Sequence, residues 1–159
     1  VVDDVIALRN KYYPSVKISV LSNSTMIDRP AVAEALLKVD NNILKLDSAV
    51  DATMRLIDRP ANKEFTVEHV VGHLKKFRHQ CIVQTMMVRG EHDGVRIDNT
   101  TDAEIQALLK AYLEIEPAEV MLYSLDRPTP EQRLQKVERD ELERIAEVFR
   151  QEGIKVQVN

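Results

Sequence analysis

The sequence predicts an α/β fold, a partial (β/α) barrel in which about five parallel strands alternate with helices. Strand-like and helical stretches alternate along the chain, which is typical of parallel sheets with right-handed crossovers. The predicted strands also keep one polar-tolerant face, as where Lys45 and Asp47 alternate with Leu44 and Leu46. Such a face suits a sheet that curves around a cavity. With 159 residues, of which 44% are hydrophobic, the chain is expected to form a single domain over residues 1–159.

Apolar residues at helical spacing predict the helices, and local signals mark where they begin and end. The predicted helices cover residues 2–8, 28–39, 49–57, 66–77, 101–112 and 139–152. Asp28 is expected to cap the second of these helices, with Pro30 in its first turn. Thr101 and Glu104 have the spacing of a capping box, and Gly153 follows the last helix as a stop signal.

Short apolar and β-branched runs between these helices predict the strands, which cover residues 16–21, 43–46, 82–88, 120–125 and 154–158. Residues 90–99 are polar, contain two glycines and are predicted to form a loop. The triplet Asp-Arg-Pro occurs at 28–30, 58–60 and 126–128. Because its spacings are unequal, it indicates recurring turn chemistry and not an internal duplication.

The composition limits the partners and cofactors that the chain is expected to bind. The net charge is −4 with mixed signs, so the sequence does not call for a nucleic-acid partner or an anionic membrane. No apolar run approaches the length of a membrane span, and no signal-peptide pattern is present. Cys81 is the single cysteine, which excludes an internal disulfide and fits a reducing cytoplasm. One thiolate also cannot hold an iron–sulfur cluster. The chain begins at Val1 and is therefore expected to be a portion of a longer protein.

Sites in parallel barrels form at the carboxyl ends of the strands, so the residues at those positions are the candidates. They are Ser22, Asn23, Lys45, Asp47, Gln84, Met86, Tyr123 and Arg127. Ser22 and Asn23 offer hydroxyl and amide groups, and an ordinary strand-to-helix turn is the competing interpretation. Lys45 and Asp47 share a strand face, where they either bind a ligand or form a solvated strand end. Arg127 is suited to clamping a carboxylate or phosphate, and an internal salt bridge is the alternative.

Histidines provide a second set of candidates. His92 lies between two carboxylates, an arrangement suited to acid–base work or metal binding, although a solvated loop histidine is the more common case. His69 and His73 stand four apart on a predicted helix but lack the glutamate of the His-Glu-x-x-His pattern. They are interpreted as surface or packing residues, so no metal ligand is assigned. No glycine-rich phosphate loop, nucleophile elbow or metal-cysteine cluster is present.

Several stretches, taken in order, resemble the middle and late parts of radical S-adenosylmethionine (radical SAM) Fe–S oxidoreductases, most of all the branch that includes wyosine-synthesis enzymes. These stretches are Lys17-Ile-Ser-Val-Leu-Ser-Asn-Ser-Thr25, Leu44-Lys-Leu-Asp-Ser48, Met54-Arg-Leu-Ile-Asp-Arg-Pro60, Val83-Gln-Thr-Met-Met-Val-Arg-Gly90, Met121-Leu-Tyr-Ser-Leu-Asp-Arg-Pro-Thr-Pro130 and Glu141-Leu-Glu-Arg-Ile-Ala146. Each stretch alone is a weak motif, whereas their order and spacing together are fairly specific.

The resemblance implies the C-terminal portion of a (β/α)6 radical SAM barrel, with the cluster-binding cysteine loop upstream of Val1. The full-length protein would use SAM and a [4Fe–4S] cluster to abstract hydrogen from an unidentified substrate, and the chain alone would be inactive and free of cofactor. Carried over by position, Ser22 and Asn23 would approach SAM, and Lys45 and Asp47 would lie near its ribose or methionine part. Gln84 and Met86 would line the mouth of the next strand, and Tyr123 and Arg127 would face the substrate.

The expected partners follow from the same resemblance. The first is the missing N-terminal part of the same chain, and the second is another copy, joined through the open sheet edge that such a truncation leaves. A tRNA partner is compatible with the wyosine likeness but has no support from the acidic composition. No membrane partner is expected. The alternative to an enzyme portion is a non-enzymatic α/β domain that binds a small ligand or serves as an interaction module.

Overall fold

The computed structural model describes residues 1–62, 64–126 and 133–159. Its strands are β1 (Ser19–Ser22), β2 (Asn41–Lys45), β3 (Cys81–Met86), β4 (Val88–His92), β5 (Val95–Asp98), β6 (Glu119–Tyr123), β7 (Leu134–Lys136) and β8 (Val156–Val158). Its helices are α1 (Val2–Tyr12), α2 (Pro30–Leu36), α3 (Asp51–Asp58), α4 (Val67–Leu74), α5 (Asp102–Ile115) and α6 (Arg139–Gln151), with a 3₁₀ turn at Lys75–Phe77.

A five-stranded parallel sheet forms the centre of the molecule. Its strand order is β1–β2–β3–β6–β8, so strands that follow one another in this sheet are also neighbours in space. Every neighbouring pair is parallel. Right-handed crossovers between strands laid down in one direction place the connecting helices on a single face. The predicted fold class, a partial (β/α) barrel with five parallel strands, is confirmed.

The two faces of the parallel sheet differ sharply in burial. On the helix-covered face, Leu44, Val83 and Leu122 are fully buried in the main core. Residues of the opposite face, among them Gln84 and Met121, are only half-buried. Alternation along each strand produces this division, since successive side chains point to opposite faces. The half-buried face is therefore the inner surface of the partial barrel.

The predicted loop at 90–99 is wrong, because these residues form a β-hairpin. Strands β4 and β5 pair antiparallel, and β7 pairs with the other side of β4 to complete a second, three-stranded sheet. Asp93 and Gly94 have φ values of 48° and 77°, as a two-residue hairpin turn requires. Buried Val88 and Ile97 lie on the inner face of this sheet. Strand β3 ends at Met86, before the predicted end at residue 88, because Val88 already belongs to β4.

The predicted N-terminal caps agree with the structure at α5 and differ from it at α2. The Thr101 hydroxyl accepts a hydrogen bond from the Glu104 amide at 3.4 Å, as the capping box predicts. The Glu104 carboxylate, however, turns away to accept from Ser48 Oγ at 2.6 Å in the buried interior. The predicted Asp28 cap is wrong, since α2 has Arg29 as its N-cap without a side-chain hydrogen bond. Pro30 occupies the first turn as predicted, and its fixed φ suits that position.

Helix α1 stands apart from the core, since none of its residues is buried. Two ion pairs connect it to the turn before β2, Arg9 to Asp40 at 2.9 Å and Lys38 to Asp3 at 2.8 Å. The apolar residues Val5 and Leu8 remain exposed. Among the described helices, none has both the length and the apolar character needed to cross a membrane.

Candidate functional site

Three charged side chains meet where β2 and α3 end. Lys45 is the last residue of β2, Asp47 follows two residues later on the same face, and Asp58 is the last residue of α3. Lys45 Nζ lies 2.6 Å from Asp47 Oδ2 and 3.6 Å from Asp58 Oδ1. One ammonium group therefore faces two carboxylates at the carboxyl edge of the sheet, where sites form in parallel barrels. We call this group the strand-end cluster.

Asp47 is fixed by the backbone of the neighbouring strand. Its side chain is fully buried, and Oδ1 accepts a hydrogen bond from the Met86 amide at 2.8 Å. Oδ2 lies 2.6 Å from Lys45 Nζ, so the ammonium group donates a short, charge-assisted hydrogen bond to it. One backbone amide and one ammonium group therefore hold the buried carboxylate, which in turn fixes Lys45 at the edge of the sheet.

The Asn99 side chain connects the ends of β2 and β3 with the start of β4. Its Nδ2 group donates to the carbonyl oxygens of Asp47 and Met86, each at 2.7 Å, and its Oδ1 accepts from the Val88 amide at 2.7 Å. The side chain is fully buried, so all three bonds are shielded from water. A single amide thereby fixes the strand-end cluster relative to the start of β4.

The close approach of like charges shifts the titration of Asp58. Burial of this carboxyl, followed by the nearby negative charge of Asp47, raises its pKa to about 7, and the pull of Lys45 in the opposite direction is smaller. Burial acts to lower the pKa of Lys45, but the combined negative charges around it raise that pKa instead. Near neutral pH, Asp58 therefore exchanges between its acid and its carboxylate form, as a proton-transfer group does.

A cavity of about 240 Å³ adjoins the cluster between the β1 and β2 ends and helix α3. Its polar lining consists of Asn23, Thr25, Lys45 and Asp58. Its apolar lining consists of Leu46, Met54, Ile57, Phe65 and Val70. We call it the polar cavity. It combines a cation, a carboxyl and amide groups with an apolar wall, the mixture that small-molecule sites use.

The structure brings several of the predicted site residues together. Asn23, Lys45 and Asp47 gather at the strand-end cluster and its cavity. Gln84 is the register partner of Lys45 on β3, and its Nε2 donates to Met121 Sδ at 3.5 Å. Lys45 and Gln84 therefore share the inner face of the sheet.

The remaining predicted residues lie at different distances from the cluster. Met86 and Tyr123 are register partners on the inner face, one row beyond Gln84. Burial, and then the charge of Asp47, raises the pKa of the Tyr123 phenol. Ser22 pairs with Leu44 on the helix-covered side, and its Oγ accepts from the Ser24 amide at 3.2 Å. Arg127 lies outside the described residues.

Sequence reasoning missed Asp58 and Asn99 as members of the site. Asp58 belongs to an Asp-Arg-Pro triplet that was interpreted as turn chemistry, and Asn99 fell in the predicted loop. One signal was available, since Asp93-Gly94 between alternating residues is a strong hairpin motif. A hairpin at 88–98 would have placed Asn99 directly after a strand and not inside a loop.

Metal-ligand geometry is absent from the described part of the chain, where no group of three or more histidine, cysteine or acidic side chains is suitably arranged. The rings of His69 and His73 stack edge to face on α4, 4.5 Å apart. His92 lies in strand β4 and not in a loop, with Nε2 at 3.0 Å from Asp93 Oδ2. Cys81 is fully buried on the helix-covered face, and burial raises its thiol pKa to about 12. It does not fit as an iron–sulfur ligand, which must be a thiolate.

Comparisons with known proteins place this architecture among solved structures. A domain of a pyruvate-formate lyase-activating enzyme from Bacteroides vulgatus ATCC 8482 superposes with a TM-score of 0.66 at 10% identity, over 99% of this chain and 91% of that one. A radical SAM methyltransferase from Sphaerobacter thermophilus gives a TM-score of 0.51 at 19% identity, over 74% of this chain. The match spans 33% of the methyltransferase. No protein-family model and no curated protein matches the sequence. At these identities the likeness establishes a shared fold.

Proposed function

We propose that this chain forms the SAM-facing portion of a radical SAM Fe–S oxidoreductase. The strand-end cluster, next to Asn23 and the polar cavity, is the observation that carries the proposal. It lies at the carboxyl edge of a partial (β/α) barrel, the edge at which parallel barrels build their sites. The fold shared with a radical SAM methyltransferase supports the same assignment.

The chemistry of the cluster matches the groups that SAM presents. Lys45 is a cation suited to the SAM carboxylate, and the carboxyl of Asp58 is suited to its ammonium group or ribose hydroxyls. Asn23 adds an amide to the lining of the cavity. The cavity volume of about 240 Å³ lies below the usual range of about 300–1,000 Å³ for ligand sites, so it would hold part of SAM. The rest of the molecule would extend over the inner face near Gln84.

The iron–sulfur cluster is the part that these residues do not fit, because Cys81 is a single, buried thiol. Its ligands are therefore proposed to come from a segment outside these 159 residues. In that arrangement the chain alone is inactive. A reduced cluster with bound SAM would supply the hydrogen-abstracting chemistry, and the residues of the strand-end cluster and the polar cavity would bind part of SAM.

The finer assignments are proposals carried by the sequence motifs. They are the wyosine-synthesis branch, a cytoplasmic location and self-association through the open edge strand β1. Self-association has a structural basis, since Leu21 on β1 is 64% exposed and β1 lies at the edge of the sheet. The test for self-association is light scattering across a concentration series, in which a constant monomer mass would contradict it.

Binding of SAM to the chain tests the proposed function directly. Calorimetric titration should show weak, saturable binding, which Lys45→Met and Asn23→Ala each weaken about tenfold, the usual cost of one charged or polar anchor. Lys110→Met is the matched control, since Lys110 is exposed on α5, and it should leave the affinity unchanged. In the full-length protein, anaerobic reconstitution with iron and sulfide should yield SAM cleavage to 5′-deoxyadenosine. A full-length protein that holds no iron would contradict the proposal.

The alternative is a binding module that takes a small ligand without doing chemistry. It is favoured by one observation, the preformed polar cavity whose described lining requires no metal. The two proposals differ in the reconstituted full-length protein, where an enzyme consumes SAM and a binding module returns its ligand unchanged.

A further inference from the structure

A second cavity lies on the other side of Asp58. Its volume is about 260 Å³, and it is enclosed between the end of α3 and the inner face of the antiparallel sheet. The apolar side chains that line it are Leu56, Ile57, Met86, Val88, Ile97 and Leu134. Asp58, Arg59 and His92 complete the described lining. We call this cavity the apolar slot.

The slot is joined to the proposed SAM site through shared residues. Ile57 and Asp58 line both the polar cavity and the apolar slot, so the two spaces are separated by one layer of side chains. Met86 also links the slot to the strand-end cluster, since it lines the slot while its amide donates to Asp47. A group held in the slot would therefore lie next to the strand-end cluster.

The walls of the slot are held in place by the backbone. Asn99 fixes the amide of Val88 and the carbonyl of Met86. On the opposite side, Gly90 of β4 pairs with Leu134 of the antiparallel neighbour β7, and a Cβ at position 90 would lie 2.2 Å from the Arg133 carbonyl oxygen. This close approach sets the position of Leu134. Leu56, Ile57, Met86 and Leu134 are only half-buried, so the slot is accessible to a ligand.

From these observations we propose that the apolar slot binds an uncharged apolar group of the substrate, such as an aromatic ring or a branched aliphatic side chain. This inference rests on the proposed function, since it assigns the slot to the substrate of the same reaction. The volume fits, because a cavity of about 150 Å³ lined by similar residues already accommodates benzene. Six of the nine described lining residues are apolar, so most of the wall favours contact with an apolar group over a hydrated one.

Two methionines provide separate reporters for the two cavities. Met54 lines the polar cavity and Met86 lines the apolar slot, so ¹³C-methyl methionine NMR on the 159-residue chain distinguishes them. Toluene is the apolar probe, and SAM is titrated separately. Toluene should shift the Met86 methyl signal saturably and leave the exposed Met26 unchanged, and SAM should shift Met54. Saturating SAM should leave the toluene affinity within threefold.

Matched substitutions in one sheet test whether the slot itself binds. Leu134→Gln places an amide in the lining and should weaken toluene binding at least fivefold. Val95→Gln makes the same change in the same sheet at an exposed position and should alter the affinity less than twofold. If Leu134→Gln does not fold, as judged by its methyl spectrum, Leu56→Gln replaces it on the opposite wall.

The outcomes separate the two proposals. Toluene shifts confined to Met26 or Met121, or equal affinities for Leu134→Gln and Val95→Gln, would overturn the slot inference and leave SAM binding intact. If SAM does not shift the Met54 methyl signal while toluene still shifts that of Met86, the result would count against the proposed function instead. Displacement of toluene by SAM would place both ligands in one space and overturn the division into two cavities.

Discussion

Two regions of the molecule place opposite charges a similar distance apart and are built differently. In the strand-end cluster, Lys45 and Asp47 are 2.6 Å apart, with exposed side-chain fractions of 29% and 0%. On the outer face of the antiparallel sheet, Arg96 and Asp98 are 2.9 Å apart, with exposed fractions of 81% and 14%. Arg133 and Glu91 form a second ion pair on the same face. The distance alone does not show which charges are important for the fold.

Solvent and backbone contacts account for the difference. Water screens the outer arginines, and exposed pairs of this kind contribute about 0–1 kcal/mol. The cluster has lost most of its water, so each charge depends on its protein partners and on the Met86 amide. The buried cluster therefore depends on its protein contacts, whereas the outer row of charges is stabilised mainly by water.

Removing the buried partner should produce the largest effect. Asp47→Ala leaves Lys45 without its nearest counter-charge and leaves the Met86 amide without an acceptor. We expect a loss of about 3–5 kcal/mol in the free energy of unfolding, measured by urea denaturation. Asp47→Asn retains an acceptor for Met86 and should lose less than half as much. A loss below about 1 kcal/mol for Asp47→Ala would remove the distinction between the two regions.

The antiparallel sheet should depend more on its backbone than on its charges. Gly90→Ala would force a Cβ to within 2.2 Å of the Arg133 carbonyl oxygen, at a φ of 136° that side chains rarely adopt. Overpacking and strain together should cost about 2–3 kcal/mol, measured by thermal unfolding. Gly72→Ala is the control, because Gly72 lies within α4 with nothing within 4 Å of the added Cβ. It should gain about 0.5–1 kcal/mol.

The cluster should also make stability depend on pH. The pKa of Asp58 is raised from 3.8 to about 7, so the folded protein binds this proton more tightly than the unfolded chain. The resulting stabilisation is complete below about pH 4 and is lost as pH rises toward 7. Asp58→Asn removes this pH dependence, so the stability of the variant relative to the wild type should increase between about pH 5 and pH 7.5.

The expected relative gain is on the order of 1–3 kcal/mol, since one pKa unit corresponds to about 1.36 kcal/mol. Urea denaturation at several pH values measures it. For Asp126→Asn, which changes an exposed carboxylate, the free energy of unfolding should vary with pH as it does in the wild type. A wild-type and Asp58→Asn difference that stays constant with pH would show that Asp58 titrates normally.

The smallest effect is expected on the outer face of the antiparallel sheet. Arg96→Ala removes a cation whose side chain is 81% exposed and whose partner is Asp98. The free energy of unfolding should change by less than about 0.5 kcal/mol in low-salt urea denaturation. A larger loss would mean that this row of charges is coupled to the sheet beneath it, as the strand-end cluster is.

Part of the site could be predicted because strand alternation is local. Lys45 and Asp47, two apart, necessarily share a face, and Leu44 and Leu46 identify the other face as buried. Asp58 and Asn99 escaped prediction for a different reason. They reach the cluster from the end of a helix and from a hairpin, 11 and 52 residues after Asp47, and no periodicity connects such positions.

The sequence by itself determined the alternation of helices and strands, the five-stranded parallel sheet and the polar strand ends. These features depend on the spacing of apolar residues and on short-range turn and capping signals. The tertiary structure alone decided that Asp58 faces Asp47 across Lys45, that Asn99 joins the strand ends, and that two cavities share a wall. Contacts between residues distant in the chain depend on how the sheet curves and how α3 crosses its edge, and local patterns carry no information about either.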